Sequence, residues 1–266
     1  MLNSIGRVIK RNISKEALRA HIILLSRFYI RFGLWNGVKL FLKFKLRRVD
    51  RIQLPGFRFP FSLRTGTSDI QAFNHIFLDD NYYFRYAEKP KIIIDAGANI
   101  GLFTIKMKNE YPEATIICIE PDQDNFQRLT ANLSMYDNIY LENCALWGTN
   151  TSGTIHNKFY LGNWGMVVEE NLGEGRIPFV TISSLLQKYK VDQVDILKLD
   201  IETSEKQVFA GQTNVWLPKV RVMIIELHDW LETGCASVFF KTINSTLTDY
   251  TYLVKGEYTV IINTKK

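Results

Sequence analysis

Cysteine is scarce in this chain, and its three copies, Cys118, Cys144 and Cys235, lie scattered in apolar runs without metal-ligand spacing. An odd, sparse set argues against a disulfide framework and fits a reducing compartment. Long hydrophobic runs are missing as well. The longest uncharged apolar stretch falls far short of the ~18 residues that a spanning helix needs. No secretory signal is visible, because the first apolar cluster is interrupted by charge and has no small-residue cleavage site. The Asn-x-Ser/Thr triplets beginning at Asn12, Asn132, Asn150 and Asn244 are therefore read as chance, and the cytoplasm is the expected location. Repeats and low-complexity tracts are absent. What is present is a hydrophobic content of 46% over 266 residues, enough for one sizeable core with an appendage.

Acidic residues are nearly missing from one end. Residues 1–51 hold 13 Lys and Arg against Glu16 and Asp50, so this segment carries +11 of a net +6 and the remainder is mildly acidic. Residues 1–51 are expected to form a basic amphipathic helical arm, broken into two helices at Gly33 and Gly37. Two uses fit: an interfacial helix pair on an anionic membrane, or a subdomain covering the catalytic part or a dimer partner. Residues 52–90 follow as a lead-in. "RIQLPGFRFPFSLR" predicts a short hairpin, and "GTSDIQAFNHIFLDDNYYF" a helix capped by Thr67 or Ser68.

Residues 91–266 form the regular part. "KIIID", "ATIICIEP", "NIYLENCAL", "VDILKLDIE" and "VRVMIIELH" are apolar strands, with helices between them; the Gly-rich stretch 148–180 suggests a hairpin insertion. "YTYLV" and "EYTVIINT", joined at Lys255-Gly256, close the chain. Strands alternating with helices predict a doubly wound, mostly parallel sheet of seven strands, with a C-terminal antiparallel strand.

Ligands of such sheets sit beyond the carboxyl ends of the strands. After the first strand stands "DAGANIG", with Asp95, Gly97, Asn99 and Gly101. Its spacing is G-x-x-x-G, unlike the G-x-G-x-x-G of nicotinamide enzymes, and Asp95 sets a carboxylate where a pyrophosphate would want none. Glu120 ends the second strand, placed to accept hydrogen bonds from both hydroxyls of a ribose. Together the two turns predict a nucleoside-type ligand.

"IIIDAGANIGLFT", "IEPDQDNFQRLTANL", "CALWG", "VDILKLDIETSE" and "VMIIELH", in that order and with "LRTGTSD" upstream, resemble the FkbM family of S-adenosylmethionine-dependent O-methyltransferases. The resemblance implies a class I methyltransferase (Rossmann-like) fold and methyl transfer to hydroxyls, often of sugars or polyketides. It implies that Asp95, Gly97, Asn99 and Gly101 line the methionine end of S-adenosylmethionine and that Glu120 holds its ribose. It also implies that Asp122, Cys144 and Ala145 lie near the adenine. The family pattern Asp-Ile-Glu-Gly departs here to Asp200-Ile201-Glu202-Thr203, at the expected mouth of the substrate site.

Candidates for the chemistry follow the fourth and fifth strands: Asp200, Glu202, Glu226 and His228, with Asp229 beside them. His228 is the first choice as base, because an ordinary imidazole titrates near neutrality, with Glu226 to orient it. Asp200, Glu202 and Glu226 could instead gather a magnesium ion, although no spacing demands one. His21, His75 and His156 are isolated, and Tyr82, Tyr83, Tyr86, Trp147 and Trp164 are read as packing or as a sugar-stacking face. The expected acceptor is a sugar or glycan hydroxyl. A nucleic-acid acceptor is disfavoured, since the Pro-Pro and Pro-Cys motifs of base methylation are absent. A non-catalytic member tethered through the arm is the rival from another class. A homodimer, and a peripheral position on the inner face of a bacterial membrane, are compatible with the arm.

Overall fold

The computed structural model describes residues 15–79, 82, 88–156, 167–170 and 177–265. Its central sheet has seven strands: β1 (Ile92–Ala96), β2 (Thr115–Ile119), β3 (Ile139–Glu142), β8 (Val194–Leu199), β9 (Val220–Glu226), β10 (Tyr250–Lys255) and β11 (Tyr258–Asn263). They lie in the order β10-β11-β9-β8-β1-β2-β3. The first five are mutually parallel, and β11 runs antiparallel to both β9 and β10. This is the class I methyltransferase sheet expected from the sequence. The closing hairpin folds back, so its second strand lies inside against β9 and its first forms the edge.

Helices cover both faces, which is why the inner strands are continuous apolar runs rather than alternating ones. Period two decides which face each residue serves. Ile93, Ile116, Cys118 and Ile196 enter one buried cluster, while Ile94, Ile117, Ile119 and Leu197 enter the other. On the first face lie α4 (Leu102–Glu110) and α5 (Gln123–Leu133); on the second lie α6 (Ile182–Tyr189), α7 (Glu205–Ala210) and α8 (Cys235–Thr246). Thr181 caps α6 by accepting the Ser184 N–H at 3.1 Å.

The run "NIYLENCAL" does not make a single strand. It breaks after Glu142, and β4 (Ala145–Leu146) joins a second sheet with β5 (Thr151–His156), β6 (Val167–Glu170) and β7 (Ile177–Val180). Asn143 occupies the break and donates from its side chain to the Glu120 carbonyl at 2.9 Å. The insertion is thus a small sheet, and Trp164 lies outside the described residues.

The N-terminal region forms α1 (Lys15–Phe32) and α2 (Leu34–Lys45). Gly33 makes the break, at φ 77°. Gly37 does not: it sits within α2, where a Cβ would lie 2.6 Å from the Phe28 carbonyl oxygen, so it lets the two helices touch backbone to backbone. Phe28 and Phe44 pack onto Phe73 of α3 (Asp69–Phe73), and with Leu40 they join the same buried cluster as β1 and β2. The expected hairpin over residues 51–64 reduces to an isolated bridge between Ile52 and Phe61. Thr67, not Ser68, receives the Asp69 N–H, at 3.3 Å.

Candidate active site

The strand order reverses between β1 and β8, and the turns that leave these two strands touch. A Cβ on Gly97 would lie 1.7 Å from the Asp200 carbonyl oxygen, and Gly97 has φ +72°. Glycine is therefore required here by the neighbouring turn. Gly101, at φ +88°, lets Leu129 and Leu133 of α5 close on the turn. Beyond these turns opens one continuous cavity of about 340 Å³, lined at one end by Asn99, Glu120 and Ala145 and at the other by Asp200, Glu202, Glu226 and His228.

At the first end, Glu120 is 5% exposed. One carboxylate oxygen accepts the Asn99 N–H at 2.8 Å and the other the Asp122 N–H at 3.0 Å. Burial pushes its pKa up to about 7, and these hydrogen bonds oppose the rise. Asn99 adopts φ 50°, and its side-chain oxygen is buried with no hydrogen-bond partner among the described residues. Such an orphan acceptor fits a ligand that brings a donor.

Asp95 does not face the cavity. It lies within β1, fully buried, on the side of α4, where one oxygen accepts the Thr104 hydroxyl at 2.7 Å. Its other oxygen stands 3.2 Å from Nζ of Lys198, its registered neighbour on β8. Lys198 also donates to the Gly97 carbonyl at 2.7 Å and lies 3.7 Å from Asp200. Burial works against its charge, but Asp95 and Asp200 outweigh that and hold its pKa above the ordinary lysine value. Sequence reasoning overlooked Lys198; the signal was a lysine inside the apolar strand "VDILKLD". Asp122 likewise stays off the cavity and caps α5 through the Asn125 N–H at 2.8 Å. Cys144 is buried in the cluster shared with α6.

At the second end, β8 stops at Leu199, so the strand read from "VDILKLDIE" does not reach Asp200 and Glu202. The chain turns instead, with Glu202 at φ 50° and Thr203 at φ 79°. This turn points Glu202 back toward His228, 3.4 Å away. Glu226 ends β9 with an oxygen 3.5 Å from His228 Nε2, and Glu205 of α7 holds Nδ1 at 3.0 Å. His228 is buried at 2%, whereas the side chains of Asp200, Glu202 and Glu226 are 24%, 17% and 17% exposed. The carboxylates are the more exposed part of this wall and the imidazole its most buried part.

Burial alone would lower the His228 pKa, but the hydrogen bond and charge of Glu205, with Glu202 and Asp200, raise it to about 10. These carboxylates favour the protonated ring, whereas the sequence alone suggests an ordinary imidazole. Burial, together with the crowding of Asp200, raises both Glu202 and Glu226 above the usual carboxylate range, while His228 opposes the rise. Asp200, Glu226 and His228 each offer an atom within 4.8 Å of the others. Trp230, 68% exposed, has its ring 6.4 Å from that of His228. Tyr82 and Tyr258 pack against each other at 4.5 Å and close the cavity on the α4 side; Tyr83 and Tyr86 lie outside the described residues.

The Methyltransferase FkbM domain matches residues 95–254. Among curated relatives, Methyltransferase sdnD of Sordaria araneosa is 28% identical over 198 residues, 61% of this chain and 75% of that protein. The 31-O-demethyl-FK506 methyltransferase FkbM of Streptomyces tacrolimicus is 24% identical over 218 residues, covering 68% of this chain and 82% of that one. Hexuronic acid methyltransferase AglP of Haloferax volcanii is 27% identical over 147 residues, 53% and 58% of the two chains. A class I sheet, a cavity at its switch point and a profile match over more than half of the chain agree: this protein belongs to the FkbM family of methyltransferases.

Proposed function

We propose that the protein is an S-adenosylmethionine-dependent O-methyltransferase whose acceptor is a hydroxyl of a sugar or glycan. The observation that carries this reading is the continuity of the cavity, which joins the Glu120–Asn99 end to the carboxylate wall before His228. The names of two relatives, one with a 31-O-demethyl acceptor and one with hexuronic acid, support oxygen as the methylated atom and a sugar as the acceptor.

S-adenosylmethionine, when bound, supplies a methyl group on an already activated sulfonium, so the task left to the protein is alignment and proton removal. Glu120 would accept the ribose hydroxyls, Asn99 Oδ1 would take a donor from the ligand, and Ala145 would wall the adenine side. The excess of carboxylates over Lys198 and His228 makes the far end attractive to a positive ligand. Glu226 is placed to take the proton of the acceptor hydroxyl in its ionised form; burial and Asp200 push its pKa up to about 8, so the competent form grows as pH rises through that value. Protonated His228, anchored by Glu205, positions Glu226 and Glu202 and steadies their charge. Trp230 offers an exposed ring for a sugar face. A second reading rests on the grouping of Asp200, Glu226 and His228 within 4.8 Å: these oxygen and imidazole donors, with Glu205 behind the histidine, suit a divalent cation.

Calorimetric titration with S-adenosylmethionine, S-adenosylhomocysteine and NAD tests the cofactor, followed by methyl transfer to a panel of free and nucleotide-linked sugars. The first two are expected to bind and NAD not to; absence of binding by both sinks the proposal. Glu226→Gln should keep S-adenosylhomocysteine affinity while kcat falls about 10²-fold or more. Unchanged turnover removes Glu226 from the chemistry. Loss of turnover on EDTA treatment, restored by magnesium, would favour the cation reading.

A further inference from the structure

The outer face of the helix pair α1–α2 is both apolar and basic. Nine of the 16 large hydrophobic side chains exposed among the described residues fall between Leu18 and Leu46. Ile22 is 59% exposed, Ile30 79%, Trp35 84% and Leu46 62%. The pair is not loosely packed. Its inner face is in backbone contact at Gly37 and is locked onto Phe73 through Phe28 and Phe44. Both helices bury their inner faces in one cluster, so both outer faces lie on the side away from it.

Charge selects what covers this face. Between Glu16 and Asp50 the chain has eight Lys and Arg and no acid. Arg27 pairs with Asp79, while Arg19, Lys39, Lys45, Arg47 and Arg48 are exposed around the apolar residues. At helical spacing, Trp35, Leu42 and Leu46 fall on one arc of α2, with Lys39 and Lys45 at its margins. Exposed apolar side chains rimmed by bases match a surface of acyl chains beneath anionic head groups. A second copy of this chain would set like charges against like, which disfavours self-association through this face. No helix among the described residues is long and apolar enough to cross a membrane.

We propose that α1 and α2 dock the protein on the surface of an anionic lipid bilayer, with Trp35, Leu42, Leu46 and Ile30 in the interface and the surrounding bases against head groups. The proposal is independent of the acceptor and of the methyl donor.

The test is cosedimentation of the full chain with vesicles of phosphatidylcholine alone, or with about a third phosphatidylglycerol. The protein should pellet with the anionic vesicles only, and less so as salt is raised. Trp35→Ala with Leu42→Ala, and separately Lys39→Glu with Arg48→Glu, should each weaken binding at least tenfold while leaving the thermal melt and S-adenosylhomocysteine binding unchanged. All four side chains are exposed, so neither variant is expected to unfold. Equal recovery in the supernatant for both vesicle types overturns the proposal, as does wild-type binding by both variants. A dimer in sedimentation equilibrium that Trp35→Ala dissociates would assign the face to a second copy and overturn it as well.

Discussion

Lys198→Met is the perturbation that most sharply tests the account of the site. It keeps the length and apolar stem of the side chain and removes one charge that is 3% exposed. At 3.2 Å from Asp95 and 3.7 Å from Asp200, and with an effective dielectric constant of about 20, each attraction is worth about 5 kcal/mol. Taking the ions out of water costs several kcal/mol each, so the intact group comes out near balance. Removing the lysine alone leaves Asp95 fully buried, with only Thr104 to satisfy it, and also frees the Gly97 carbonyl. The expected cost is about 3–5 kcal/mol, or a fall in Tm of roughly 6–20 °C for a domain of this size. Chemical denaturation should show a lower midpoint at unchanged slope. Because the folded state raises the lysine pKa, this stabilisation is fully present below the ordinary lysine range and fades only as pH climbs through it. Asp95→Asn combined with Lys198→Met should recover at least about 2 kcal/mol relative to the single variant, since no uncompensated charge remains. A single-variant cost below about 1 kcal/mol, or a double variant no better than the sum, would refute the reasoning.

Glu120 supplies a pH test. With its pKa near 7, more of it becomes ionised between pH 6 and 8, and a carboxylate accepts ribose hydroxyls better than the acid does. Adenosine, which does not titrate there, should bind about tenfold tighter at pH 8 than at pH 6, and Glu120→Gln should flatten the profile; a flat wild-type profile in calorimetry contradicts the assignment. Thr203 holds φ 79°, a region costly for a β-branched residue. Thr203→Gly should raise stability by about 1 kcal/mol in a urea melt, and a loss of stability would show that the Thr203 side chain contributes more than its backbone costs.

Much of this molecule was written in local pattern. "IIID", "TIICI" and "VDILKL" are apolar without interruption because both faces of the sheet are covered, so their strands and parallel pairing followed from composition and the intervening helical periods. Gly97, Asn99 and Glu120 were legible because a tight turn and a strand-end acid leave residue-type signatures. Asp95 was legible as important, yet its direction was not. Which face of β1 it serves depends on register with β8, and the partner that fixes it, Lys198, is 103 residues away in sequence. Asp122 and Cys144 were placed near the ligand by resemblance; the structure shows in addition that Asp122 caps α5 and that Cys144 is packed in the cluster with α6, next to the cavity-lining Pro121 and Ala145.

The sequence by itself determined the strands of the central sheet except where "NIYLENCAL" breaks, most of the helices, the glycine turn and the division of charge between a basic end and an acidic remainder. It also supplied the carboxylates and the histidine. Only the tertiary structure decided their relations. The left-handed turn at Glu202 and Thr203 ends β8 early and swings a carboxylate onto His228; Glu205, from a helix outside the predicted site, raises that ring's pKa. The exposed apolar face of α1 and α2 likewise emerges only once Phe28 and Gly37 fix which side of each helix is buried. Residue type sets what a group is able to do, and proximity across the chain sets its charge, its exposure and its partner, because electrostatics and burial act through space rather than along the sequence.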